Sequence, residues 1–410
     1  MAVIQLKKGR TLVFAAFILC AFGCYFGVNI YIAWKHNTCS NEVGKEFLRE
    51  LCDLYQKKII GGNLCSSICV TKTIKFDHCT NYREGKVVII ANTEKQKHPL
   101  ILKSSQHEYK NFNTISLKID GHMEYPNMDL FRRLIHESVY LNLGINLTKG
   151  IDVIEQVWSM NPLTFMQTVK GFPTASHILM DSVWSLIQQE EYLMLRMSQH
   201  LPYIPRLHGT CGYMYAVESA PPPQIFYSSV VKGGWSARVK LALAILDVVR
   251  ALDSDYHEPL HLCDVKPENF GISDVNNQVK LIDTDCIFRD STIRQIFQNI
   301  SCRRDEDCKF FDCKGWCKRK VDKCANERIN TNLQVVCEHI FMGKYFFIGL
   351  LKKPPMRLKE QLNNILRRCA FPVTYNNNSL VKYYKRKVYW ELYRLLQRSI
   401  GIGVPMPTDP

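Results

Sequence analysis

Asp264, Lys266, Asn269 and Asp283 have residue types and a spacing that suit phosphoryl transfer. Three of them lie in His261-Leu-Cys-Asp-Val-Lys-Pro-Glu-Asn-Phe-Gly-Ile272, and the fourth closes Val279-Lys-Leu-Ile-Asp283 after a short hinge. The reaction needs one carboxylate to take or orient the proton of an acceptor hydroxyl, and a Lys to offset charge on the moving phosphate. It also needs an Asn and a second carboxylate to hold the metal ions that bridge a nucleotide's phosphates. On that assignment Asp264 is the base and Lys266 the offsetting cation, while Asn269 and Asp283 are ligands for Mg²⁺ or Mn²⁺ carried with ATP. A lone Asp-x-x-x-x-Asn would read as a chance match on a turn-rich surface loop. Here the Lys, the Pro-Glu-Asn run and the second Asp accompany it.

These residues need a scaffold on both sides. Upstream, Gly85–Asn92 and Pro99–Ser104 read as strands around a polar turn, with Lys103 near the end of the second. Residues 105–173 form a long insertion with a helical pattern near Leu130–Leu143. Thr174–His200 reads as one helix, because Val183, Ile187, Met194 and Met197 share a face; Glu190 and Glu191 sit on it. Leu207–Gly212 and Tyr213–Ser219 look like a hairpin that runs into a linker at Ala220–Pro223. Ser236–Leu252 reads as a buried helix ahead of the Asp264 loop, and Leu333–Phe346, Arg357–Arg368 and Val381–Ile400 as later helices.

The ends of the chain set the expected compartment. Lys7, Lys8 and Arg10 precede an uncharged run of 24 residues, Thr11–Trp34, long enough to span a bilayer with some tilt. The positive flank keeps the short N-terminus cytosolic and sends the rest into the lumen. A cleaved signal peptide is the rival reading, but the apolar core is long and no small-residue cleavage site follows. Gly23 and Gly27 form a Gly-x-x-x-Gly pair that would let two such helices meet in a homodimer.

Seventeen cysteines, fifteen of them after the span, read as disulfides in an oxidising lumen. The odd count leaves at least one thiol free or paired with another chain. Cys302, Cys308, Cys313, Cys317 and Cys324 could alternatively hold zinc, although no His accompanies them. Acceptors for N-glycosylation at Asn146, Asn299 and Asn377 fit the same compartment. A formal net charge of +15 would ordinarily suggest nucleic acid. The lumenal topology excludes that partner and leaves acidic protein segments or sulfated glycans, or simply a solvated basic surface.

Val265-Lys-Pro-Glu-Asn269 resembles the catalytic loop of protein kinases, and Lys280-Leu-Ile-Asp283 the strand that enters their metal-binding turn. With the basic tail, the span, the lumenal Cys cluster and the run Cys302–Cys324, the whole chain resembles the divergent protein kinase domain 1 family. Those are type II membrane proteins of the endoplasmic reticulum, and the Golgi is the alternative address. The resemblance implies an α+β, bilobal, protein-kinase-like fold. Its segments are a cytosolic tail at 1–10, a signal anchor at 11–34, a Cys-rich segment at 35–80, a small lobe at 81–223 and a large lobe at 224–410.

By the same resemblance Lys103 would pair with the α/β-phosphates of ATP and Glu191, or its neighbour Glu190, would pin that Lys. Glu218 joins the nucleotide-binding set at the edge of the linker where adenine would dock. Three departures stand out. No Gly-x-Gly-x-x-Gly precedes Lys103, Cys263 replaces the Arg that usually precedes the base, and Thr284-Asp285 replaces Phe-Gly after Asp283. Losing that Arg fits a segment stapled by disulfides rather than ordered by a phosphate. No Asp-x-Asp-x-Asp-Gly series lies in the insertion, so calcium binding is not carried over. The expected activity is transfer of phosphate from ATP to a lumenal protein or glycan hydroxyl. The alternatives are a pseudokinase scaffold and an AMP transferase.

Overall fold

The computed structural model describes residues 39–401, apart from 82–84, 95–96, 120, 159, 170–174, 224–233, 286, 344–347 and 373–377. Within them the chain is mixed α and β and divides into two units. One gathers the residues up to Tyr125 with Val169–Ser185 and Gly209–Ala216; the other gathers Pro126–Thr168, Leu186–His208 and the residues from Val217 onward. The expected span 11–34 and the acceptor Asn377 lie outside the described residues. Among the described residues no helix is long and apolar enough to cross a membrane.

The first unit is built on most of a five-stranded sheet. Its strands are β1 (Ile74–Asn81), β2 (Lys86–Thr93), β3 (Leu100–Ser105), β4 (Leu207–Cys211) and β5 (Met214–Glu218), in the order β1-β2-β3-β5-β4. Period-two burial explains β2 and β3. Val87, Ile89 and Ala91 face the core from one, and Leu100, Leu102 and Ser104 from the other. The helix Asn41–Gln56 covers this core with Gly44, Phe47 and Leu51, and Ser40 caps it by accepting the Val43 N–H at 3.2 Å. Phe47 meets Tyr213 edge to face. Disulfides Cys39–Cys79 and Cys65–Cys211 tie the Cys-rich segment to this sheet, and Cys52–Cys69 joins two of its helices. That segment is continuous with the sheet: β1 belongs to it and pairs antiparallel with β2.

The second unit is mostly helical. Trp235–Ser254 buries Val239, Leu243, Leu246 and Val249 along one face, as their spacing requires. Met128–Leu143 is capped by Asn127, which accepts from Leu130 N, and ends at Gly144 in the left-handed region. The two later helices span Lys359–Ala370 and Asn378–Ser399. Asn332–Val336 continues into a π-helical turn at Cys337–Phe341, whose Cys337 is bonded to Cys369.

One expected element is divided. The helical pattern over 174–200 forms two helices, Ala175–Ile187 and Glu190–Met197. Between them Gln189 takes an extended conformation at φ −96° and ψ 106°, and its carbonyl accepts the Leu193 N–H to start the second helix. The break restarts the helix at Glu190, so Glu191 lies in a first turn, where a carboxylate suits the helix dipole.

Candidate active site

The site grows from a two-stranded pairing, Phe270–Ile272 with Val279–Leu281, which places Asn269 and Asp283 at adjoining strand ends. The Ile282 N–H donates to the Asn269 carbonyl at 3.0 Å, which fixes the backbone of Asp283 beside Asn269. Gly271 is required there, because a Cβ would collide with the Ala220 carbonyl. Asn269 is buried, and its Nδ2 donates to the Asp264 carbonyl at 2.9 Å and approaches Asp264 Oδ2 at 3.4 Å. Lys266 Nζ lies 2.7 Å from the same carboxylate oxygen, with both side chains half-buried. A 3₁₀ turn at Pro267–Asn269 brings these groups onto one side of the loop.

From Asp283 the bonding continues to the short helix. The buried Thr284 hydroxyl donates to the Glu191 carbonyl at 3.3 Å. Glu191, the one chosen from the sequence by its distance to the next strand, is buried at 6 % exposure, whereas its neighbour Glu190 is exposed. Glu218 is also buried, and its carboxylate lies 3.0 Å from Lys280 Nζ, which in turn donates to the Pro202 carbonyl at 2.8 Å. Its side chain thus serves the fold of the strand that leads to Asp283. Lys103 stands on β3 in the first unit, opposite Val88 of β2. Asp264, Lys266, Asn269, Asp283, Glu191 and Glu218 all belong to the second unit.

The loop is also pinned by groups that lie far from it along the chain. Cys263 is bonded to Cys313, and the Asp312 N–H donates to the Cys263 carbonyl at 2.7 Å. The Asp312 carboxylate accepts the Val265 N–H at 2.8 Å, while buried His339 meets the Val265 carbonyl through Nδ1 at 2.9 Å. That contact requires the proton on Nδ1. Asn332, also buried, accepts from Leu262 N and donates to the Leu260 carbonyl, completing the strand before the loop. Three side chains thereby hold the backbone on both sides of Asp264, through four hydrogen bonds that span 47 to 74 residues. No local motif could have found them, since their roles exist only in the tertiary fold.

His261 is held neutral. Burial first, and the Arg328 guanidinium second, push it below the usual imidazole range, against the opposing pull of Asp290. Arg328 Nη1 reaches its Nδ1 at 3.1 Å, so the ring proton sits on Nε2, which donates to Asp290 Oδ1 at 2.9 Å. Arg328 itself is half-buried, and the desolvation of its guanidinium lowers it to about 10.

The segment after Asp283 is cross-linked as the cysteine run implied. Cys302–Cys317 and Cys308–Cys324 close two loops, and with Cys263–Cys313 their sulfurs pack in one buried cluster with Ile293 and Phe297. Three of these sulfurs, from Cys302, Cys308 and Cys317, come within 4.8 Å of one another, a distance that would suit a metal. All three are consumed in disulfides, so no thiolate remains to bind zinc and the zinc reading is set aside. The seven disulfides of the described residues use fourteen cysteines; Cys286, the fifteenth after the expected span, lies outside them.

Do these residues fit a nucleotide-bound divalent ion? Asn269 spends its amide N–H groups on Asp264, which leaves its side-chain oxygen as the atom it offers to a cation. An amide oxygen beside a carboxylate is a hard, oxygen-only donor set of the kind Mg²⁺ and Mn²⁺ prefer. The fit is good.

Two family patterns match the chain. Residues 183–372 match one described as "Protein-kinase domain of FAM69", and residues 5–157 match one described as "N-term cysteine-rich ER, FAM69". Divergent protein kinase domain 2A of Homo sapiens is 27% identical over 176 residues, which is 40% of this chain and 40% of that protein. The chain thus spans about two fifths of the length of that relative.

Proposed function

Because this chain belongs to the FAM69 family of divergent protein kinase domains, we propose that it transfers phosphate from ATP to a hydroxyl of a protein or glycan in the secretory pathway. The observation that carries the reading is the contact set on Asp264: Lys266 Nζ at 2.7 Å and Asn269 Nδ2 at 3.4 Å from the same carboxylate oxygen. A base, a cation for the moving phosphate and an amide ligand within hydrogen-bond reach are the parts that phosphoryl transfer asks of a site.

In the reaction the acceptor oxygen attacks the γ-phosphorus, the bond from that phosphorus to the ADP oxygen breaks, and the hydroxyl proton passes to Asp264. Lys266 moves between the Asp264 carboxylate and the transferring group, offsetting the charge on its equatorial oxygens. Asn269 and Asp283 would hold Mg²⁺ or Mn²⁺, which when bound neutralises the nucleotide's phosphates. Lys103 and Glu191 are assigned to positioning those phosphates, and Glu218 to the nucleotide edge through its backbone.

The same reading places the body in the lumen behind an uncleaved anchor at 11–34, with glycans at Asn146, Asn299 and Asn377. Seven disulfides and the family pattern described as endoplasmic-reticulum cysteine-rich support that compartment. Asn146 and Asn299 are exposed, as acceptors must be.

The test is the mass of an acceptor after incubation with ATP and Mn²⁺. An added phosphate that Asp264→Ala abolishes supports the proposal. An added AMP assigns the chain to nucleotidyl transfer instead. An unchanged acceptor pool across a lumenal extract favours the scaffold.

A further inference from the structure

The last two helices carry a face that the candidate active site does not use. Lys359–Ala370 presents Gln361, Asn364, Ile365 and Arg368 to a groove of about 620 Å³. Asn378–Ser399 presents Glu391, Arg394, Leu395 and Arg398 to the same groove. Each set follows an i, i+3, i+4, i+7 spacing, so each is a single stripe on its helix. Ile365 and Leu395 are buried and give the groove an apolar base. The disulfide Cys337–Cys369 fixes the first helix one residue from Arg368.

The three guanidinium groups are not equivalent. Arg368 is occupied: it pairs with Glu391 across the groove and donates from Nε to Asn364 Oδ1 at 3.1 Å. Arg394 and Arg398 are exposed, and among the described residues neither guanidinium has a hydrogen-bond or ion-pair partner. Arg398 lies in the last turn, where a cation suits the helix dipole; Arg394 has no such compensation. The two stand four residues apart on one helix, where like charges repel. An anion laid across both would remove that repulsion.

The spacing selects the shape of the anion. Four helical residues rise about 6 Å. Two residues of an extended chain cover about 6.6 Å, and their side chains point the same way. Carboxylates at alternate positions of an extended peptide therefore match Arg394 and Arg398. An apolar side chain near them has Ile365 and Leu395 to rest on, and the Gln361 and Asn364 amides suit main-chain groups. Glu391 already shows a carboxylate bound to a guanidinium of this groove.

We propose that the groove between the helices Lys359–Ala370 and Asn378–Ser399 docks an acidic, extended segment of a partner protein with carboxylates two residues apart. The inference stands on this groove alone and does not depend on phosphoryl transfer.

The experiment uses the full chain with its disulfides intact, without nucleotide. A short fluorescent peptide containing Glu-Leu-Glu is titrated by anisotropy at low and at near-physiological salt. Binding should weaken with salt, and the Gln-Leu-Gln peptide should not bind. Arg394→Glu with Arg398→Glu should lower affinity by about tenfold or more while leaving the melting temperature unchanged, since both side chains are exposed. If the double reversal melts low, Arg394→Gln with Arg398→Gln replaces it with the same expectation. Glu391→Gln should raise affinity, because it releases Arg368 to the ligand; a merely structural ion pair would give no gain. Equal binding by the wild type and the double variant would overturn the proposal. So would no binding of the Glu-Leu-Glu peptide at low salt, or binding of a sulfated oligosaccharide in its place.

Discussion

Cys263, the residue immediately before Asp264, is bonded through its sulfur to Cys313 in the segment that follows Asp283. The candidate base therefore stands one peptide unit from a covalent link to that segment. Where protein kinases carry an Arg that senses a phosphate, this chain has a disulfide, buried together with Cys302–Cys317 and Cys308–Cys324. The link needs no modification to hold its shape.

Replacing Cys263 and Cys313 together by Ser should cost about 2–5 kcal/mol of stability, the usual loss for a native disulfide. Denaturant unfolding measures it, and limited proteolysis should show new cleavage within 302–324. Peptide mapping that found these cysteines as free thiols, in protein made in an oxidising compartment, would refute the arrangement.

Asp312 is the acceptor for the Val265 N–H at 2.8 Å, and Val265 is buried. Asp312→Ala leaves that donor unsatisfied and should cost about 1–3 kcal/mol in urea unfolding. Asp312→Asn keeps an oxygen acceptor and should recover most of the loss. On the phosphotransfer reading, Asp312→Ala also lowers kcat, because the loop that carries the base is loosened.

Asp181, in the first unit, accepts the Ile115 N–H at 2.8 Å and the Tyr125 hydroxyl at 2.9 Å. Burial raises its pKa to about 6, against the opposing effect of those two donors. A carboxyl whose folded pKa exceeds its unfolded value binds its proton more tightly in the folded state. Its contribution to stability is therefore full at acid pH and is lost as the pH rises from about 4 to about 6. Asp181→Asn carries no charge to desolvate. The melting temperature of the variant minus that of the wild type should fall as the pH is lowered from 7.5 to 5, within the precision of a thermal scan. A difference independent of pH would contradict the assignment.

The parts legible in the sequence were the local ones. Asp264, Lys266 and Asn269 lie within six residues, so one turn of chain fixes their mutual geometry and the spacing alone announces it. Helix faces such as Val239, Leu243, Leu246 and Val249 were legible for the same reason. Disulfide pairing was not, because it depends on which cysteines the fold brings together; Cys65 finds Cys211 at a separation of 146 residues. The break at Gln189 was hidden because the apolar periodicity continues through it. Strand β1 did carry a cue: Ile74 and Phe76 alternate with Lys75 and Asp77, a pattern overshadowed by the surrounding cysteines.

The most direct measurement is a thermal-shift titration of the disulfide-intact chain with ATP, with and without Mg²⁺ or Mn²⁺, on the wild type, Asp283→Ala and Asp264→Ala. Carboxylates gathered in one cleft are costly unless a cation joins them. The wild type should gain a few degrees only when nucleotide and metal are both present. Asp283→Ala should lose that gain, and Asp264→Ala should keep it, because the base acts on the acceptor hydroxyl and not on the nucleotide. Identical melting temperatures for all three proteins, with and without ATP and metal, would contradict the phosphotransfer account and leave the chain a scaffold.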